Sequence, residues 1–174
     1  MPRLVIDALP LLGEGGITNY IRPFCAELIR RTSPEWSAEL LFRLAWNAAR
    51  KNRLAQLLSA GLPPHTHRHV TSVPDSLMEL LWSRGLCVSS RPLNPGDLVI
   101  ATTEMVPRCN RAIVGHFVYD IVPLMIRDTF DLDLERYAMG LFNRLNKADF
   151  VITISETTKR DLVERFKYPA SNIV

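Results

Sequence analysis

The sequence predicts an α/β domain built on a mostly parallel β-sheet. Three observations lead there. Short β-rich runs alternate with amphipathic helical stretches, some runs are apolar without interruption, and polar residues gather just beyond them. Such alternation marks right-handed βαβ units, and uninterrupted apolar strands mark a sheet covered on both faces. A chain of 174 residues suits one domain with a single core, and 47% hydrophobic with 22% charged residues excludes a disordered or fibrous class.

The elements follow in order. Leu4-Val5-Ile6 opens a strand, and the loop Leu12-Gly13-Glu14-Gly15-Gly16 follows it. Ile17, Ile21, Phe24, Cys25, Leu28 and Ile29 then recur at helical spacing. Residues 38–44 can form a second strand, and 48–60 read as a helix closed by Gly61 and Pro63. A strand is expected over 67–73, then a helix with Asp75 as its N-cap running through Trp82. After the turn Pro92-Leu93-Asn94-Pro95-Gly96 comes the apolar run Asp97-Leu98-Val99-Ile100-Ala101. Residues 112–119 hold the next strand region, 134–145 a helix and 150–154 a last strand. Ser155 caps a final helix, with Glu156 in its first turn where the helix dipole favours negative charge, and Pro169 stops it.

The first motif of interest is the loop at Gly13, Gly15 and Gly16. A strand turning tightly into a helix leaves backbone N–H groups free, and glycine lets a phosphate approach them. The loop is neither GxGxxG nor a Walker loop, and a ligand-free tight turn explains it as well. The second is Phe117-Val118-Tyr119-Asp120-Ile121-Val122-Pro123, where a buried strand delivers Tyr119 and Asp120 at its carboxyl end. In open α/β sheets that edge faces the ligand crevice, and a carboxylate there can orient a sugar hydroxyl. Capping of the following turn is the plainer role for Asp120. Ser155 and Glu156 occupy the same kind of place, where capping accounts for both.

Two other patterns are set aside. Asp131-Leu132-Asp133 has a metal-binding DxD form but precedes a helix, so capping is expected. His65, His67 and His69 alternate along one strand face without further ligands at metal spacing. No metal and no cofactor is expected. The three cysteines, Cys25, Cys87 and Cys109, make neither a disulfide framework nor a CxxC pair, which points to a reducing cytoplasm. No apolar run approaches bilayer length. With a net charge of only +3, no nucleic-acid partner is expected. Arg30-Arg31 and Arg50-Lys51-Asn52-Arg53 can form solvated helix faces or touch anionic lipid, so peripheral contact with the inner face of a membrane stays open.

Three stretches together resemble a known family. They are Gly15-Gly16-Ile17-Thr18-Asn19-Tyr20, Tyr119-Asp120-Ile121-Val122-Pro123-Leu124, and the run from Ala148 through Ile154, Ser155 and Glu156 to Leu162. In this order they are similar to the retaining glycosyltransferases of the GT-B fold, the large family 4 (group 1) with its bacterial mannosyltransferases. The resemblance implies two Rossmann-like three-layer domains facing a cleft, with residues 1–174 as the N-terminal, acceptor-side half. It implies transfer of a hexose, such as mannose, from a nucleotide-diphosphate sugar to a glycan or lipid-linked acceptor, without metal. Carried over, Gly15 and Gly16 lie near the donor phosphates, Asp120 and Tyr119 at the catalytic centre, and Ser155 and Glu156 on the cleft wall. Two departures stand out. Many members have His where this chain has Tyr119, and His116 does not simply replace it. The family's donor-binding domain would follow Val174, so the chain is expected to be inactive alone. A non-catalytic glycan- or nucleotide-binding module, or a subunit of a split enzyme, is the alternative; an unrelated cofactor enzyme is disfavoured by the lack of GxGxxG.

Overall fold

The computed structural model describes residues 1–13, 15–32, 35–43, 66–84, 86, 89–109, 111–125 and 133–174. Among them, six strands make one all-parallel sheet: β1 (Arg3–Asp7), β2 (Ser37–Arg43), β3 (His67–Thr71), β4 (Leu98–Ala101), β5 (Ile113–Val118) and β6 (Phe150–Thr153). Their order across the sheet is β3-β2-β1-β4-β5-β6. The helices are α1 (Gly16–Thr32), α2 (Asp75–Ser83), α3 (Val122–Met125), α4 (Leu134–Leu145) and α5 (Glu156–Phe166), with one-turn 3₁₀ segments at Leu9–Leu12 and Ala170–Asn172.

Strand side chains alternate between two cores, which is why the domain has three layers. Leu4, Ile6, Leu40, Phe42 and Ile100 pack with Ile21, Cys25 and Ile29 of α1. Their neighbours Val5, Leu41, Val99 and Ala101 point the other way, onto Met78 and Trp82 of α2. Beyond β5, the side chains of Val118, Val151, Leu141, Leu145 and Leu162 close a third cluster under α4 and α5. The chain reverses its winding between β1 and β4. At such a switch point the carboxyl ends of the strands leave a crevice.

Some elements differ from expectation at their edges. β3 ends at Thr71, and the N-cap of α2 is Pro74 without a side-chain cap bond, so Asp75 is the first helical residue and not the cap. Two of the other expected caps are present, at Ser155 and in the Asp131-Leu132-Asp133 stretch at Asp133. The Ser155 side chain accepts from the Thr158 N–H at 3.1 Å, and that of Asp133 from the Arg136 N–H at 3.0 Å. Asp133 is thus a helix cap; Asp131, His65, Cys87 and the expected helix over 48–60 lie outside the described residues. Among the described residues no group of three His, Cys, Asp or Glu could hold a metal ion, and no helix is long and apolar enough to cross a membrane.

Two glycines serve the backbone directly. Gly96 closes the expected turn before β4 with φ +89°. In β5, a Cβ on Gly115 would stand 2.5 Å from the Phe150 ring and 3.0 Å from Ile100, so only glycine lets β6 lie this close. Past α5, Lys167 takes a left-handed conformation (φ 54°) and the chain returns to the sheet. There Val174 donates to the Val151 carbonyl at 2.9 Å, alongside β6.

Candidate functional site

Every strand near the switch point ends on a polar residue at its carboxyl edge: Asp7 on β1, Arg43 on β2, Thr102 after β4, and Tyr119 with Asp120 after β5. Buried there, Asp7 and Arg43 are paired at 3.1 Å. The Asp7 carboxylate also accepts from the Thr103 hydroxyl at 2.5 Å and the Leu9 N–H at 3.3 Å. The Thr102 hydroxyl donates to the Asp7 carbonyl. Arg43 reaches on to the Met105 sulfur at 3.2 Å and lies 6.0 Å over the Trp82 ring. A pair this buried is held only because each partner is matched by further hydrogen bonds. It locks the ends of β1, β2 and β4 together.

Above this lock lies a cavity of about 480 Å³. Pro10, Gly13, Ile17 and Thr18 form one wall; Thr102, Thr103 and Glu104 a second; the β5 end from His116 to Asp120 a third; and Tyr137, Leu141 and Arg144 of α4 the last. That size falls within the range of small-ligand sites.

The structure brings Tyr119 and Asp120 together on this cavity, as expected from their place at a strand end. Asp120 is exposed and holds one oxygen, Oδ1, 3.1 Å from the Val122 N–H. It therefore caps the α3 turn and also faces the cavity. Tyr119 is tied down: its hydroxyl donates to the Thr102 carbonyl at 2.7 Å, and its ring packs 5.3 Å from Phe117. Burial, with smaller contributions from Cys25 and Asp7, pushes the Tyr119 phenol well above its ordinary pKa, so it stays protonated.

The other expected site residues stand around the cavity, not in its lining. Gly15 (φ +104°) and Gly16 sit exposed at the head of α1, and from the same loop and helix the cavity meets Gly13, Ile17 and Thr18. Ser155 and Glu156 are outside the lining as well. Ser155 connects to it indirectly, because Thr158, which it caps, donates to the Tyr119 carbonyl at 3.4 Å.

His116 proves to be a wall residue buried beneath the cavity. Its Nδ1 lies 3.3 Å from the Ala101 carbonyl. A carbonyl only accepts, so Nδ1 carries the proton of the neutral ring and Nε2 is left as an acceptor. Burial, aided by the positive charge of Arg144 and opposed by the Ala101 bond, lowers its pKa from 6.5 to about 4. Cys25, buried under α1, has its thiol pushed up to about 12 by burial and by Asp7, and has no reactive thiolate at neutral pH.

Asp7, Arg43, Thr102, Thr103, Glu104, Tyr137 and Arg144 were not singled out from the sequence. Thr102-Thr103-Glu104 follow an apolar run just as Tyr119-Asp120 do, so the strand-end rule applied to every strand finds them and Asp7. Arg144 carries no such signal, being a polar residue on an amphipathic helix.

No family model matches the chain, and no curated protein matches it. Among solved structures it is similar to the Candida albicans trehalose-6-phosphate phosphatase N-terminal domain, with a TM-score of 0.48 and 14% identity. The likeness covers 95% of this chain, and the chain spans 43% of that one. A likeness of this degree says nothing of activity. The Rossmann-like fold rests on the strand order and the two covered faces described above.

Proposed function

We propose that this chain is the acceptor-side domain of a retaining, nucleotide-sugar-dependent glycosyltransferase of the GT-B type. In this reading it moves a hexose, mannose being the first candidate, onto a glycan or lipid-linked acceptor. The observation that carries the reading is the position of Asp120. It faces a ligand-sized cavity at the switch-point edge, with one carboxylate oxygen held by the Val122 N–H. In this reading its other oxygen accepts a hydrogen bond from the acceptor's hydroxyl and orients it toward the donor. The glycine loop, at the head of α1, supplies the helix N-terminus toward which a diphosphate is drawn. The resemblance of the three motifs to the family supports the same assignment.

The test is product formation from a panel of nucleotide-diphosphate hexoses by the protein of the complete reading frame. Asp120→Asn is expected to lower transfer by at least about 100-fold with the fold unchanged, the scale of a lost general base or orienting group. Near-normal transfer by that variant removes Asp120 from the reaction.

One observation favours a second reading, a binding module without turnover. The family's histidine position holds Tyr119, whose proton is committed to the Thr102 carbonyl, and His116 is held neutral beneath the cavity. Saturable binding of a glycan or nucleotide, with no product from any donor in the panel, decides for the module.

A further inference from the structure

We propose that this cavity takes a ligand bearing a phosphate-class oxyanion, and that the Arg144 guanidinium is its counter-charge. The proposal rests on the transferase reading only for the location of the ligand. Arg144 stands in the last turn of α4, beside the buried Leu141 and Leu145, with its side chain 14% exposed. It lines this cavity of about 480 Å³ and also an adjoining one of about 560 Å³, which shares Glu104 and Tyr137 with it. Among the described residues its guanidinium makes no hydrogen bond. Its ion-pair partner among them, Glu104, is 3.9 Å away and 78% exposed. The Nε is fully buried and has no hydrogen-bond partner among the described residues. That leaves the terminal Nη1 and Nη2 as the atoms able to donate into the cavities.

The buried Nε, with neither water nor a protein acceptor to meet it, is costly to leave unmatched. Arg3 and Arg43, the fully buried arginines among the described residues, show how the fold otherwise treats the group. Arg3 is paired with two carboxylates and two carbonyls, and Arg43 with Asp7 and Thr103. Dipole compensation at the helix C-terminus gives Arg144 a reason to be basic. It does not explain a guanidinium that lines two cavities and meets no carbonyl among the described residues. A planar fork facing open space fits an oxyanion, which it binds through two parallel N–H donors. Its charge already acts there, adding to the burial that lowers the pKa of His116 on another wall of the cavity. Glu104 competes for the same fork, but a pairing so exposed and so long is weak.

Calorimetric titration at fixed, low ionic strength with glucose 6-phosphate, UDP and neutral glucose tests the proposal. At least one phosphate-bearing probe is expected to bind at least about tenfold tighter than glucose, the scale of a charge-assisted contact. Arg144→Gln should weaken that binding by about tenfold or more, with Arg144→Lys between it and the parent. Glu104→Gln should tighten it severalfold by removing the competitor. Binding of glucose 6-phosphate places the anion on the acceptor, and binding of UDP places it on the donor; either upholds the proposal. It is overturned if neither binds up to about 10 mM, where the binding free energy falls below about 3 kcal/mol. It is equally overturned if Arg144→Gln, with an unchanged melting temperature, binds as the parent does. Should Arg144→Gln fail to fold, the Arg144→Lys and Glu104→Gln pair decides, since opposite shifts uphold the proposal and equal affinities overturn it. Phosphate binding that needs Arg144, without transfer from any donor, would end the transferase reading and leave this one standing.

Discussion

The two edges of the same sheet use buried charge in opposite ways. At the amino edge, Arg3 donates through Nε and Nη2 to Asp97 and through Nη1 to Glu39, at 3.0–3.3 Å, and through Nη2 to the carbonyls of Arg91 and Pro92. Glu39 in turn accepts from the Ser90 N–H and hydroxyl, and Asp97 from the N–H groups of Arg3 and Asn94. Every charged atom there answers another, so the cluster is a clasp joining β1, β2 and the entry to β4. At the carboxyl edge, Asp7, Arg43 and Thr103 begin the same kind of clasp. The polar groups then continue outward to Asp120 and Arg144, which face a cavity. The contrast separates structure from function. Polar groups that satisfy one another hold a fold, and polar groups with capacity left over toward a cavity are available to a ligand.

The sharpest way to break this contrast is at the clasp. Arg3→Ala leaves two carboxylates buried without their counter-charge and should lower unfolding free energy by about 3–5 kcal/mol in urea titration. A loss below about 1 kcal/mol would mean that the amino-edge network is not what joins those strands.

Acid should reach the two edges in different windows. His116 has a folded pKa of about 4 against 6.5 unfolded, so the unfolded chain binds the proton first. Its contribution is intact above pH 6.5, fades between 6.5 and 4, and amounts to about 3 kcal/mol once lost. His116→Gln should flatten that part of the stability profile. At the clasp, burial alone would raise the Asp97 pKa, but the N–H groups of Asn94 and Arg3 and the Arg3 charge outweigh it and hold the carboxyl below its usual range. Its stabilising effect is therefore present above the ordinary carboxyl pKa and lost only as pH falls beneath it. Thermal melts across the pH range would show the two steps; a single loss confined to the lower window removes His116 from the account.

Asp7→Asn keeps the shape of the carboxyl-edge lock and removes its charge, and should cost about 1.5–3 kcal/mol, the scale of a hydrogen bond to a charged group. The smallest stability effect is expected at the cavity itself. Asp120→Asn, exposed and making one turn bond, should shift unfolding by less than about 0.5 kcal/mol. A large destabilisation there would make Asp120 part of the fold and weaken its claim to a ligand.

How much of this was legible beforehand follows from the range of each interaction. The α/β class, the parallel sheet and the caps at Ser155 and Asp133 are local or periodic properties, decided within a few residues by propensity, patterning and cap chemistry. So is the delivery of Tyr119 and Asp120 to a strand end. The sequence by itself determined those. Only the tertiary structure decided that Asp7, from the first strand, would meet Arg43 at the end of β2 and Thr103 just beyond β4, or that Arg3 would close on Asp97, 94 positions away. It also decided that the cavity would be met by Gly13 and Thr18 instead of Gly15 and Gly16, and that Arg144 would turn into it. Each of these depends on strand order across the switch point and on helix facing. Those are set by the joint packing of two cores on one sheet, and no window of sequence contains them.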